Sequence, residues 1–375
     1  MEEEDAFPAV KGEDNIYKHF LIQGIIVPKI LTFDEASKCL SNLGKDESGV
    51  RYAYLMLSAN DMKLTDISKI TCFKHVLFVD VSGNFLELEA LQILCELPYL
   101  ILLKAERNKI TSAALNPCPY LQVLVLNKNQ ITETNNISQP YLETLDLSHN
   151  NIYEVHLDSD KLKELKQLEL KGNQLTELAG DFPVSVEKLY VAENRIQKII
   201  VSDLSKLVNL KILHIRENKL HKLDGFSDNL RNLTYLNVRR NKIKQLRQFR
   251  KLACLPNLDT LIIIDNPVMS TKATDKVRGE EEEVSDEEEV EAEEQDKKDY
   301  IRISILVMLP NLKRINKVPV SLEERDEAFF IAEEKMEEIM KEESSDEESI
   351  IISTTDMTTD YTTETETEGV AQREE

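Results

Sequence analysis

The sequence predicts a leucine-rich-repeat solenoid, an α/β fold in which short strands stack side by side into a parallel sheet on a concave face. Three observations support the prediction. The pattern L-x-x-L-x-L-x-x-N-x-L recurs eight times in register, and its asparagines recur at steps of 21 to 25 residues. Helix-capping sequences flank the run on both sides, as a solenoid with open ends requires.

The repeat is clearest in the middle of the chain, where Leu142, Leu145, Leu147, Asn150 and Ile152 match the full pattern. The inner leucines face the core from a strand, and the asparagine follows where the chain turns. Its amide can bond backbone groups that would otherwise be buried without partners, so we assign a structural role and no catalytic one. The predicted repeat asparagines are Asn60, Asn84, Asn108, Asn129, Asn150, Asn173, Asn194, Asn218, Asn241 and Asn266.

Capping sequences and composition divide the chain. Thr32-x-x-Glu35 predicts a helix through about Leu43, and Ser321-x-x-Glu324 predicts a charged helix through about Met340. The apolar stripe of this second helix could fold back on the solenoid or bind a partner helix. The predicted segments are an N-terminal extension (1–29), an N-terminal cap (30–54), about ten repeats (55–269), an acidic disordered insert (270–299), a C-terminal cap with a short helix and a strand (300–320), the charged helix (321–341) and a disordered Ser/Thr/Glu-rich tail (342–375).

Net charge is concentrated in two blocks. The chain carries a formal charge of -23, and residues 280–299 hold 13 acidic residues and two lysines, while residues 342–375 hold 12 acidic residues and one arginine. The remainder is nearly neutral, which argues against nucleic-acid binding because that function requires a basic face. No signal peptide or membrane-length apolar run is present, so we expect a soluble protein that binds no membrane.

Five cysteines occur without a CxxC pair, and Cys72, Cys95 and Cys118 recur every 23 residues. This spacing predicts small apolar side chains in a stacked core and a reducing, cytoplasmic compartment. The six histidines are scattered, and no glycine-rich phosphate loop, metal spacing or nucleophile motif occurs. We therefore expect no enzyme activity, cofactor, metal or small-molecule substrate.

The residues beside the strand leucines point to the concave face, where solenoids usually bind proteins. They predict an apolar patch formed by Phe78, Leu102, Val123 and Val125. They also predict an aromatic-basic patch, since Tyr and Arg are enriched at binding hot spots. An ordinary mixed surface is the alternative. The residues of the aromatic-basic patch are Tyr190, His214, Arg216, Tyr235 and Arg239.

Two serines precede acidic runs, Ser285 in the insert and Ser345 in the tail. This context favours acid-directed kinases of the casein kinase 2 type, although serine also occurs by chance in acidic low-complexity sequence. Each phosphate would add about -1.5 to -2 charge at pH 7. We expect such phosphorylation to strengthen contact with a basic partner, less so at high salt, and mass spectrometry of the native protein tests for it.

Ordered runs in the flanks and repeats resemble the leucine-rich repeat-containing protein 23 family. They are ILTFDEASKCLSNLGKDESGVRYAYLMLS at 30–58, LTDIS at 64–68, HVLFVDVSGN at 75–84, YLETLDL at 141–147, NLTYLNVRRN at 232–241 and LPNLDTLIIIDNP at 255–267. The resemblance covers residues 30–340 apart from the acidic insert. It implies a structural component of the radial spokes of motile cilia and sperm flagella, bound to other axonemal proteins. The alternatives are an acidic regulator of nuclear or cytosolic basic proteins and a regulator of protein phosphatase-1.

Overall fold

A computed structural model of the chain describes residues 27–46, 48–269 and 287–341, with side chains in the last range from residue 298 onward. A short helix, α1 (Phe33–Lys38), opens the described part. The hydroxyl of Thr32 accepts a hydrogen bond from the Glu35 backbone N–H at 3.3 Å, and the Glu35 carboxylate accepts one from the Thr32 N–H at 3.0 Å. This reciprocal pair is the capping box that the sequence indicates.

The front cap differs from the predicted helix because α1 ends at Lys38. Residues Leu40–Lys45 form strand β1, which pairs antiparallel with β2 (Tyr52–Ser58), Leu40 lying opposite Leu57. In the hairpin, β1 supplies backbone hydrogen-bond partners to β2, the first strand of the parallel stack. A helix through Leu43 would leave this edge of β2 unpaired.

The hairpin also changes the register of the first repeat. Leu57 pairs with Val79 of the next strand, so Leu57 and the buried Ala59 occupy the two core positions. Met62, rather than Asn60, then stands where later repeats have asparagine. The exposed Asn60 only accepts a hydrogen bond from the Ser82 N–H at 3.0 Å, and the prediction that it is a repeat asparagine is therefore wrong.

The repeats form a parallel sheet in chain order, which confirms the predicted solenoid. Each three-residue strand has a buried central residue between two residues that face the concave side, and the register is continuous, with Leu124, Leu145 and Leu168 in line. Among the described residues the parallel strands that follow β2 in this sheet are β3 (Phe78–Asp80), β4 (Leu102–Lys104), β5 (Val123–Val125), β6 (Thr144–Asp146), β7 (Gln167–Glu169), β9 (Lys188–Tyr190), β11 (Ile212–His214), β12 (Tyr235–Asn237), β13 (Thr260–Ile262) and β14 (Arg314–Ile315).

An asparagine ladder runs beside the sheet, as predicted from Asn84 to Asn266. Asn150 is typical: its amide donates to the carbonyls of Leu126 and Leu147 at 3.0 Å each, and its oxygen accepts from the Ile131 N–H at 3.0 Å. The ladder therefore satisfies backbone groups of neighbouring repeats at a buried turn.

The residue before each ladder asparagine turns the chain. His149 adopts φ +54°, and its N–H donates to the carbonyl of Lys171 in the next repeat at 2.6 Å. This left-handed conformation favours glycine, which two repeats use, at Gly83 and Gly172. The other repeats hold non-glycine residues there with φ between 52° and 59°, namely Arg107, Lys128, Glu193, Glu217, Arg240 and Asp265.

The convex side returns the chain through short, varied segments that bury the remaining apolar residues. The repeats thus differ mainly in these return segments, while the strands stay alike. The segments include α2 (Leu88–Gln92), β8 (Glu177–Leu178) paired with β10 (Lys198–Ile199), α3 (Val201–Leu204) and the 3-10 helices Ser68–Cys72, Ile93–Glu96, Leu246–Cys254 and Pro267–Met269.

A long helix, α4 (Glu287–Met308), leads into the back cap. It begins inside the segment predicted as a disordered insert, so the expected short helix starting near residue 300 is wrong. Helix-forming Glu, Ala and Lys residues precede the apolar anchor, where Ile301, Ile305 and Leu306 are buried. Residues 270–286 lie outside the described part of the chain.

Two short strands close the sheet at this end. Strand β14 adds in parallel to β13, with Ile315 opposite Leu261, and β15 (Val318–Pro319) pairs antiparallel with β14. Asn316, directly after β14, ties the two strands together, since its side-chain oxygen accepts from the Ile263 N–H at 2.9 Å.

The predicted continuous charged helix is two helices, α5 (Leu322–Phe330) and α6 (Ala332–Met340), separated at Ile331. Both pack against α4, and α6 also contacts the 3-10 helix Leu246–Cys254. Ala328 of α5 and Ile339 of α6 are both buried in the apolar core. Of the two alternatives for this segment, the structure shows the fold-back.

Arg302 joins α4 to the closing hairpin and to α5. Its guanidinium donates to the carbonyls of Ile315 at 3.1 Å and Pro319 at 2.7 Å, and it forms an ion pair with Glu324. The hydrogen bond from Arg302 lowers the pKa of Glu324. The stabilisation from this pair is therefore present above the ordinary carboxyl pKa and is lost as pH falls through the lowered value.

Arg302→Met is expected to lower the free energy of unfolding by about 1.5–3 kcal/mol, because hydrogen bonds made by a charged group are lost and their acceptors stay behind. Denaturant unfolding followed by circular dichroism measures this. Arg314→Met, at an exposed arginine of β14, is the control. Equal stability of the two variants would contradict the joining role of Arg302.

The three cysteines spaced by 23 residues do not share one environment. Cys118 is buried, Cys95 is half-buried and Cys72 is exposed, so the prediction of a buried core position is wrong for Cys72. Cys72 ends a 3-10 helix on the surface, where the return segment of the first repeats leaves it uncovered.

Within the described ranges, no helix has the length and apolar character of a membrane span.

Candidate functional site: the concave face

The concave face is built by the first and third residues of each strand, which are half-buried in most repeats. Neighbouring strands lie about 4.8 Å apart, so residues at one strand position form a column along the sheet. At the C-terminal end, Asn237, Thr260 and Ile262 are buried. The open part of the face therefore ends near β12.

The predicted apolar patch lies in adjacent strands. Phe78, Leu102 and Val123 are registered neighbours in β3, β4 and β5, and Val125 follows on β5. All four side chains are half-buried. They form one continuous apolar surface at the N-terminal half of the concave face, which the periodicity of the sequence predicts.

Three aromatic rings stack on the C-terminal half. The ring centroids of Tyr190 and His214 lie 4.9 Å apart, and those of His214 and Tyr235 also lie 4.9 Å apart, with interplanar angles of 22° and 29°. Burial, and then the charge of Arg216, lowers the pKa of His214. Burial raises the pKa of both tyrosines. The stack is therefore uncharged at neutral pH and presents a ring surface to a partner.

The two arginines predicted in this patch have acidic partners. Arg216 forms ion pairs with Glu193 and Glu217, and Arg239 with Asp265 at 2.9 Å. The hydrogen bond from Arg239 lowers the pKa of Asp265. The structure thus brings Tyr190, His214 and Tyr235 together as an aromatic patch, but the basic character predicted for it is offset by these carboxylates.

Two carboxylates missed as site residues stand beside the aromatic stack. Asp146 and Glu169 are registered neighbours in β6 and β7, and Glu169 is in turn paired with Tyr190. Burial, with a smaller contribution from Asp146, raises the pKa of Glu169. The sequence places Asp146 and Glu169 in one column with Tyr190, but it does not show whether a lysine or an arginine pairs with them.

Two predicted site residues are not among the residues that the structure describes. Ser285 and Ser345 lie outside the described residues, and their phosphorylation stays a prediction. In the ranges that the structure describes, no group of three or more His, Cys, Asp or Glu residues is arranged to hold a metal ion.

The fold and the concave face define a leucine-rich-repeat protein, a class that generally binds other proteins. Models of the leucine rich repeat match residues 184–243 and 138–152. Among solved structures, a leucine-rich-repeat protein of Leptospira interrogans aligns at 24% identity with a TM-score of 0.47, covering 68% of this chain and 57% of that chain.

Relatives similar over most of the chain identify its family. Leucine-rich repeat-containing protein 23 of Bos taurus is 38% identical over 299 residues, which are 80% of this chain and 78% of the relative. The protein of that name from Homo sapiens is 36% identical over 313 residues, 83% of this chain and 82% of the relative. The chain belongs to the leucine-rich repeat-containing protein 23 family.

Proposed function

We propose that the chain is a non-enzymatic scaffold of the ciliary or flagellar axoneme, a structural component of the radial spoke that supports motility. Family membership supports the location, through the association of this family with radial spokes. The registered concave face, with its apolar patch and the Tyr190–His214–Tyr235 stack, supports the binding role. The fold offers a preformed surface, so a partner protein can dock without ordering the solenoid.

Localisation tests the cellular part of the proposal. The tagged full-length chain, expressed in a multiciliated cell, is expected to follow the axoneme and to remain after detergent removes the membrane. A diffuse nuclear signal with an empty axoneme would contradict it. That result would favour the acidic-regulator alternative, for which pull-down of histones with and without residues 342–375 is the direct assay.

The concave face gives a second expected result. Replacing Tyr190, Tyr235 and Arg239 together by Ala is expected to reduce retention on detergent-extracted axonemes while the melting temperature stays within a few degrees, since partly exposed side chains contribute little to stability. Retention is measured by immunoblot of the axonemal fraction, and the melting temperature by circular dichroism.

A matched variant replaces Tyr141, Tyr153 and Arg231, which are exposed outside the strands of the sheet. It removes the same side-chain types and should be retained like the wild type. Normal retention of the concave-face variant would exclude the proposed patch.

A further inference from the structure

Two cysteine thiols meet on the convex side of the solenoid. Cys95 lies in the 3-10 helix Ile93–Glu96, between β3 and β4, and Cys118 lies in the return segment between β4 and β5. Their Sγ atoms are 2.7 Å apart, with the Cys118 thiol donating to the sulfur of Cys95. A disulfide bond is about 2.05 Å long, so closing one between these two atoms requires less than about 1 Å of movement.

Side-chain amides of the two neighbouring return segments hold the Cys118 segment in this position. On one side, the oxygen of Gln92 accepts a hydrogen bond from the Asn116 N–H at 2.8 Å. On the other side, the oxygen of the buried Gln139 accepts from the Cys118 N–H at 2.9 Å, and its amide donates to the Asn116 carbonyl at 2.9 Å. Gln92 precedes Cys95 by three residues in the same return segment. Hydrogen bonds to the backbone therefore set the approach of the two sulfurs.

The two thiols differ in accessibility and acidity. Cys95 is half-buried and Cys118 is buried, so a small solute reaches Cys95 more easily. The hydrogen bond from the Cys118 thiol lowers the pKa of Cys95, and the same bond, together with burial, raises the pKa of Cys118. The thiolate is the form that attacks a disulfide. Cys95 is therefore suited to attack first and Cys118 to complete the exchange.

We propose that Cys95 and Cys118 are a reversible disulfide site, which joins two neighbouring repeats when a small-molecule disulfide such as glutathione disulfide accumulates. The Cys95 thiolate attacks one sulfur of glutathione disulfide, forming a mixed disulfide and releasing one glutathione thiolate, which takes up the Cys95 proton from solvent. Cys118 then attacks the Cys95 sulfur and releases the second glutathione, which carries away the Cys118 proton. Two protein thiols are oxidised, and one glutathione disulfide is reduced to two thiols.

The bond would join the return segments before and after β4, and it would leave the concave residues of β4 and β5 in place. It therefore fastens two repeats to each other without altering the face proposed to bind a partner. In a reducing compartment such disulfides are transient, so the bond would form and break with the supply of oxidant. The inference does not depend on the identity of the partner.

A second pair with the same spacing provides a matched control. One full-length variant keeps only Cys95 and Cys118 and carries Cys39→Ala, Cys72→Ala and Cys254→Ala. The other keeps only Cys72 and Cys95, which are also 23 residues apart, and has alanine at the other three positions. Each is brought to equilibrium with glutathione and glutathione disulfide at a series of ratios, folded or in urea. Alkylation of the remaining thiols and intact-mass measurement then give the fraction of disulfide.

In urea the two pairs should be oxidised at the same ratio, because the loops that they close are equally long. In the folded chain the Cys95–Cys118 pair should need about tenfold less glutathione disulfide, or lower still, because the fold holds the sulfurs together. The Cys72–Cys95 pair should show no such gain. Oxidation of Cys95 and Cys118 no more readily in the folded chain than in urea would overturn the proposal. An equal gain for both pairs would also overturn it, since spacing alone would then explain the result.

Peptide mapping of the wild-type chain keeps the test valid if the alanine substitutions impair folding, which circular dichroism of both variants reports. After the same equilibration, trypsin should release a disulfide-linked pair of peptides, residues 75–104 with residues 110–128. The link should disappear on reduction and in Cys118→Ala. A wild-type chain in which both thiols remain open to alkylation after unfolding, or in which other cysteine pairs predominate, would contradict the proposed site.

Discussion

Leu145→Ala is expected to lower the free energy of unfolding by about 2–5 kcal/mol, the range for a large-to-small change in a packed core. Leu145 is fully buried and lies in register between Leu124 of β5 and Leu168 of β7. The cavity therefore opens inside three consecutive repeats, where the rigid stacking of strands prevents the neighbours from collapsing into it.

Urea unfolding followed by circular dichroism measures this change. Leu322→Ala removes the same atoms from a side chain that is 79% exposed, and it should leave the midpoint nearly unchanged. A loss below about 1 kcal/mol for Leu145→Ala, within the range of surface substitutions, would mean that the repeat core is loosely packed.

Asn150→Ala is expected to destabilise the chain by about 2–4 kcal/mol although it deletes only a small polar side chain. Its oxygen accepts the hydrogen bond of the Ile131 N–H, which is left unpaired in the buried turn. Its amide also donates to the carbonyls of Leu126 and Leu147, which lose this donor but keep the amides of Asn129 and Asn173. A buried group without a partner costs about 1–3 kcal/mol, and each further lost hydrogen bond adds about 0.5–1.5 kcal/mol.

The neighbouring residue offers the control. Asn151 is exposed, and its side chain only accepts a hydrogen bond from Gln174 at the surface. The same unfolding measurement should find Asn151→Ala close to the wild type. If the two alanine variants were equally stable, the ladder would be a by-product of the turn rather than a source of stability.

The solenoid can be predicted from the sequence because each repeat has the same pattern of core and turn residues. Residues equivalent to Leu145 and Asn150 recur in every full repeat, so the strand, turn and register assigned to one repeat apply to the others. The ends lack this redundancy. The sequence predicts a helix that continues past Cys39 because Ala36, Cys39 and Leu40 have helical spacing, but pairing with β2 decides the conformation of residues 40–45. Such pairing depends on tertiary contacts that local propensity does not contain.

The same limit applies to the concave face. The columns of Phe78, Leu102 and Val123, and of Tyr190 and His214, follow from alternation along each strand, which fixes the direction of every side chain. Ion pairing does not follow from alternation, because long side chains reach across repeats. Arg239 pairs with Asp265, 26 residues later, whereas Glu169 forms no ion pair with a lysine or arginine within the described ranges. Which charged side chains of the concave face are paired is therefore visible only in the structure.

The hairpins at both ends of the sheet make the solenoid a spacer of fixed length. Strands β1 and β15 run antiparallel to their neighbours, so a second copy cannot continue the parallel stack from either end. From β2 to β14 the parallel strands, at about 4.8 Å per step, span about 48 Å. Two proteins docked at opposite ends of the concave face would be held at a distance set by the number of repeats, and inserting or deleting one repeat would change that distance by one step.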